Sequence, residues 1–466
     1  MKTVFKCSGV QVLRRGGVFM LAGIVLVLGA LLLLPGCARN QTEKIGPVKV
    51  VFWHAMGGLV GDELNALIDE YNRAHPESLI VGQSMGNYGA LSQKLIASIV
   101  AGNQPDIAQA YENWIAKFVA GDLLVPIDTF FTNEAEKKAL LEDFFPVIRE
   151  GNTYNGRLMS LPFNKSTPIL YFNKVLFRKA GLDPDRPPET WEEFVADAKR
   201  LTRPPSKDFP RGVKGFVSGI NVSEIQCFIH QNGGRVSTET NPDVMEFASP
   251  ESAGAVRFLL DLKYVDKASD YYVGSGYEFQ NDFLSQQSAM MVTSCVSRSY
   301  MADRLVFDWG FAPLPGHLRR GGLIYGTSVV MFKSASERKR RAAWEFIRWF
   351  NSPEIQVRWA LRTGYLPVRK SCLEVRDMKD ELKRNPSVGR IVRQIEEGFL
   401  DPRTSQWFVG RQNLDKALAD IFTSREISQA YGRPDSSALV DRLIKKELDR
   451  AVRQTEKWFD RKTRTD

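Results

Sequence analysis

The residues able to do chemistry are spaced for recognition rather than for bond making. No HExxH, P-loop or CxxC run occurs, and His54, His75, His230 and His317 are too scattered to form a metal site. No cofactor is expected. What remains is a set of aromatic and hydrogen-bonding side chains at the ends of short apolar runs. Trp53 and His54 follow the first run, Asn87 and Tyr88 the second, and Glu112 the third. Aromatic faces beside hydroxyl, amide and carboxylate groups suit a small polar ligand held without reaction. Taken singly, His54 also reads as a hydrogen-bonded structural histidine and Trp53 as core. A glycoside hydrolase is the rival reading, but it needs two flanking carboxyl groups, and only Glu112 stands out. A surface protein with no ligand is a further alternative.

The elements that must position these groups alternate regularly. Val48 to Phe52 reads as a buried strand, and Asp62 to Ala74 as a helix with Leu64, Leu67, Ile68 and Tyr71 on one face. Leu79 to Gln83 is a strand. Gly89 to Ala101 is a helix with Leu91, Leu95, Ile96 and Ile99 inward. Ile107 to Tyr111 is a third strand, and a helix starts near Asn113. Strands alternating with helices at this spacing predict an α/β protein with mostly parallel sheets, whose ligands lie beyond the carboxyl ends of the strands.

Leu158 to Lys174 is the stretch around which the rest is arranged. Pro168 to Phe172 reads as a buried strand. Asn164 to Thr167 reads as a polar insert held extended by Pro162 and Pro168, which would place Ser166 in a cleft at a crossover between two lobes. An ordinary strand entered through a turn fits the same residues. A capping box at Thr190 and Glu193 starts a helix with Trp191, Phe194, Val195, Ala198 and Leu201 on one face, and Trp191 is core or cleft wall. Ala289 to Val292 is a strand followed by Thr293 and Ser294. A second crossover is expected at Trp309 to Val330, where Gly326 either admits a ligand to the backbone or forms a bulge. A third is expected at Tyr365 to Pro367, after Gly364 ends a helix.

At 466 residues the chain allows two or three domains. Residues 1 to 36 carry Lys2, Lys6, Arg14 and Arg15, no acid, and an apolar run from Val18 to Leu34. An export signal or an uncleaved anchor fits, and either places the globular part outside the cytoplasmic membrane. Leu34 to Cys37 resembles the lipobox of bacterial lipoproteins, which implies cleavage before a lipid-modified Cys37 and a polar tether to residue 47. Loss of the leader takes the net charge from +9 to near +5 (9 minus 4), which does not argue for nucleic acid. Cys227, Cys295 and Cys372 read as buried small residues, with one optional disulfide.

Several runs in order, FWHAM at Phe52, GNY at Gly86, QAYE at Gln109, PFNKSTPILYFNK at Pro162, GLDP with PPETW up to Trp191, and TGYLP at Thr363, resemble the extracellular solute-binding proteins of ABC importers. The similarity is greatest to the glycerol-3-phosphate-binding branch. It implies the two-lobe periplasmic-binding-protein fold (type II), with lobe 1 at 48–165 plus 323–366 and lobe 2 at 166–322 plus 367–466. It also implies a monomer that binds a small molecule, delivers it to permease subunits and catalyses nothing. Ligand contacts in that branch match Tyr88, Glu112, Ser166, Trp191, Ser294, Gly326 and Tyr365. Its late arginine aligns one place from Arg411, whose guanidinium would suit a phosphate. The implied ligand is sn-glycerol-3-phosphate or a glycerophosphodiester, with a neutral sugar or polyol as the alternative.

Overall fold

The computed structural model describes residues 46–274 and 276–462, so the leader, Cys37 and most of the expected tether lie outside the described residues. Strand β1 (Val48–His54), helix α1 (Gly58–Ala74), β2 (Ser78–Ser84), α2 (Tyr88–Val100), β3 (Ile107–Ala110) and α3 (Glu112–Ala120) follow the expected alternation. Period-two burial turns Val50, Phe52 and His54 inward along β1, and parallel pairing runs from Val48↔Ser78 to His54↔Ser84. Trp53 and His54 are thus the last residues of β1, not the loop after it. In α1 the expected face is buried, and the helix begins one turn early, at Gly58. In α2 the expected face is corrected: Leu91, Leu95 and Ser98 are buried while Ile96 is exposed. The helix has rotated because Ile96 and Ile99 lie beside the buried stripe rather than on it.

The chain then passes from one sheet to another within a single residue. Strand β4 (Leu161–Ser166) belongs to the first sheet and β5 (Pro168–Asn173) to the second, with Thr167 between them. Asn164 to Ser166 are therefore strand, not the strand-breaking insert expected. Thr167 is fully buried; its carbonyl accepts from the Cys295 N–H at 2.9 Å and its Oγ1 from Gln394 Nε2 at 2.8 Å. Pro168 has no N–H to leave unsatisfied at this break.

Helix α4 (Trp191–Leu201), β6 (Lys214–Ile220), α5 (Val222–Gln231), β7 (Ser269–Val273), β8 (Ser288–Ser294) and β9 (Trp309–Ala312) complete the second sheet, ordered β9-β5-β8-β6-β7. Thr293 and Ser294 fall inside β8, whose pairing continues to Ser294↔Pro168. The chain returns through β10 (Tyr325–Met331) to the first sheet, ordered β2-β1-β3-β10-β4, where β10 is antiparallel to both neighbours. Both sheets are thus mixed. Helices α6 (Glu337–Phe350) and α7 (Pro353–Thr363) pack on the first sheet's core, and Gly364 ends α7 at φ 80. Val368, Cys372 and Met378 join that same core. Helices α8 (Ser405–Thr423) and α9 (Ser436–Lys462) cover the second. Cys227, Cys295 and Cys372 are buried and free. Among the described residues no helix is long and apolar enough to cross a membrane.

Candidate ligand-binding site

Asn164 and Lys165, just before the break at Thr167, organise one wall. Asn164 donates from Nδ2 to the Tyr88 hydroxyl at 2.8 Å, and its Oδ1 accepts the Thr327 N–H at 2.9 Å. Tyr88 sits 5.0 Å from the Tyr111 ring, and burial pushes both phenols upward. Tyr365 interacts with Tyr88 and Asn164 and stacks on Trp359 at 5.8 Å. Lys165 Nζ donates to Glu112 Oε1 at 2.5 Å, with the two residues 1% and 4% exposed. A buried ammonium thus holds one oxygen of Glu112, the residue expected to touch the ligand.

The other wall forms where the two sheets exchange the chain, from Ser166 and Tyr325 of the first sheet, Ser294 of the second, and helices α5 and α8. Ser166 Oγ and Ser294 Oγ are 2.5 Å apart, and both interact with the Tyr325 hydroxyl. Arg411, on α8, donates to Asp401 at 3.1 Å and to Ser223 Oγ at 2.8 Å, and its charge acts on Tyr111 of the first sheet's wall. Glu224 follows Ser223 in the first turn of α5; it is 6% exposed, and burial pushes its carboxyl up to about 7 against the pull of Arg411. Contacts link Tyr88 with Tyr365, Lys165 with both Glu112 and Gly326, and Ser166 with Ser294, while the charge of Arg411 acts on Tyr111. Sequence reasoning passed over Asn164, Lys165, Tyr111, Glu224 and Tyr325. Tyr111 and Tyr325 each stand one place before a chosen residue, whereas Glu224 left no local signal.

Trp191, Trp53 and His54 have other work, and Gly326 is fixed by close strand packing. Trp191 is core: its ring lies between Phe258 at 3.9 Å and His317 at 4.7 Å, and its N–H is taken by Gln231. With both faces covered it has none to offer a ligand. Trp191→Phe is expected to lower the melting temperature while changing ligand Kd less than about twofold, checked by calorimetry. Trp53 donates to Gln83 Oε1 at 2.8 Å and packs, half-buried, in the cluster that Tyr88 and Tyr111 also border. Gly326 pairs in register with Lys165, and the irregularity of the β4–β10 pairing falls after it, between Thr327 and Ser328. At φ 123 a Cβ there would lie 2.0 Å from the Asn164 carbonyl oxygen, so β4 and β10 approach too closely for any side chain. Gly326→Ala is expected to cost about 3 kcal/mol or more in urea unfolding.

His54 is structural. It is 2% exposed, Nδ1 accepts from the Met56 N–H at 3.2 Å, and burial lowers its pKa from 6.5 to about 4. Between those values the unfolded chain takes up a proton that the folded chain refuses. Stability present above pH 6.5 is therefore lost as the pH falls towards 4, by on the order of 3 kcal/mol from this group. Urea titrations at pH 7 and 4.5 should show a smaller difference for His54→Gln than for the natural protein. Gly82 to Gly86 spells G-x-S-x-G, yet Ser84 Oγ donates to the Met56 carbonyl and no base is bonded to it. No His, Cys, Asp and Glu cluster of metal-binding geometry occurs among the described residues. A cavity of about 800 Å³ adjoins the Arg411 wall, lined by Tyr154, Gln226, His230, Phe399, Asp401 and Arg403 among others. Tyr88, Ser166, Ser294 and Tyr365 do not line it.

Two mixed sheets exchanging strands, with polar groups gathered where the chain crosses, are the framework of a two-lobe binding protein. The model of the bacterial extracellular solute-binding protein family matches residues 57–357, and the chain belongs to that family. A relative described as the sn-glycerol-3-phosphate-binding periplasmic protein UgpB of Yersinia pestis is 29% identical over 406 residues, covering 84% of this chain and 91% of the relative. The Escherichia coli K12 protein of that description is 28% identical, covering 82% of this chain and 89% of its own length. Among solved structures, UgpB of Mycobacterium tuberculosis in complex with glycerophosphocholine superposes with a TM-score of 0.74 at 21% identity, covering 90% of this chain and 99% of that one. The cyclic alpha-maltosyl-1,6-maltose binding protein of Arthrobacter globiformis gives 0.70 at 22%, covering 88% and 100%. The protein is an extracytoplasmic solute-binding component of an ABC importer, and not an enzyme.

Proposed function

We propose that the solute is a glycerophosphodiester or sn-glycerol-3-phosphate, captured between two lobes that close on it. The observation that carries this reading is Arg411. Asp401 and Ser223 hold its guanidinium while using two of its five N–H donors, which leaves three for phosphate oxygens. Ser166 and Ser294 would supply hydroxyls, and Tyr88 and Tyr365 would cover the glycerol carbons. Closure transmits occupancy to the permease only if the ligand binds the closed form better. The sheets support a division with 48–166 and 325–363 in lobe 1, to which the packing of Val368, Cys372 and Met378 adds the segment after Gly364. The chain acts as a monomer, tethered through a lipid on Cys37 after loss of residues 1 to 36.

A neutral sugar is the second reading, favoured by the acids Glu224, Asp401 and Asp415 around Arg411. Titration calorimetry of the purified protein with glycerophosphocholine, sn-glycerol-3-phosphate and maltose decides between them. Heat with either phosphate ester and none with maltose is the expected result. The reverse pattern would transfer the assignment to sugars.

A further inference from the structure

We propose that Glu224 is a specificity-determining residue that accepts a ligand hydroxyl at the wall it shares with Arg411 and turns away doubly charged phosphate monoesters in favour of singly charged diesters. The inference rests on the ligand class proposed above and names what selects within it. Oε2 of Glu224 is buried without a hydrogen-bond partner, and a carboxyl oxygen out of water with no donor is costly unless something arrives to supply one. The carboxyl engages its own backbone N–H, which leaves Oε2 without a donor. Asn221 Oδ1 accepts the Ser223 and Glu224 N–H groups at 3.0 and 3.3 Å. Its surroundings are those of the proposed site: Ser223 is bonded to Arg411, and Tyr325, which interacts with Ser166 and Ser294, feels the Glu224 charge.

The charges near this wall point the same way. Lys165 is matched by Glu112, and Arg411 faces Asp401, Asp415 and Glu224. A phosphodiester brings one negative charge to Arg411, whereas an ionised monoester brings close to two. At Arg411 the second charge meets these three acids, and like charges at short range in a dry site repel strongly.

The test compares glycerophosphocholine with sn-glycerol-3-phosphate, which carry the same two glycerol hydroxyls, at pH 8 by calorimetry on the intact chain. The natural protein is expected to favour the diester at least tenfold. Glu224→Gln, isosteric and uncharged, should cut that ratio to about threefold or less while melting no lower. Glu224→Leu should weaken glycerophosphocholine about tenfold and sn-glycerol-3-phosphate about threefold, because it removes the acceptor and the repelling charge together. An unchanged ratio in Glu224→Gln, or unchanged affinities in Glu224→Leu, overturns the proposal. If maltose proves to be the bound probe, the phosphate reading fails separately. Glu224 then stands as the hydroxyl acceptor if Glu224→Leu weakens maltose, and falls if it does not.

Discussion

Lys165→Met is expected to destabilise the protein by about 3–5 kcal/mol, the largest single-residue effect foreseen here. The reason is not the strength of the Lys165–Glu112 contact but what its loss would leave behind. Glu112 is 4% exposed, so its carboxylate would be stranded away from water with no countercharge. Replacing both partners by apolar residues of similar volume should recover most of the loss, since neither charge then remains to be desolvated. Urea unfolding of the natural protein, Lys165→Met, Glu112→Leu and the double variant forms a cycle whose coupling should be strongly favourable. Additive losses would mean that the two charges are solvated independently and that the pair is not closed in solution.

Arg411→Ala should raise the Kd for glycerophosphocholine by roughly thirty- to a thousand-fold, equivalent to about 2–4 kcal/mol. Arg411→Lys should fall between the two, because an ammonium keeps the charge but cannot bond two phosphate oxygens in one plane. The alanine variant will also melt lower, since Asp401 and the buried Glu224 lose their countercharge. The lysine variant separates that effect from recognition. A natural Kd in Arg411→Ala would place the phosphate anchor elsewhere in the cleft.

Much of this architecture was legible before any fold was seen, because periodicity and capping are local. The stripe Leu64, Leu67, Ile68 and Tyr71 names its own buried face, and Thr190 accepts the Glu193 N–H as its position implies. The ordered runs from FWHAM to TGYLP carried the family, which the match over residues 57–357 bears out. The aromatic and hydroxyl positions Tyr88, Ser166, Ser294 and Tyr365 were named from strand ends, chain crossings and that resemblance.

What the linear chain left open were the partners that arrive from far away. Asn164 to Ser166 look like an insert because their polarity breaks the apolar pattern, and only pairing with Tyr325, Gly326 and Thr327 makes them a strand. Glu112 reads as a ligand contact, and nothing near it in sequence shows that Lys165, 53 residues on, closes against it. Trp191 loses its place in the cleft to Phe258 and His317, and the odd oxygen of Glu224 means nothing until α8 sets Arg411 beside it. A sequence reports which face of an element is apolar. Which charge meets which, and which ring is covered, depends on packing between segments whose spacing carries no periodic signal.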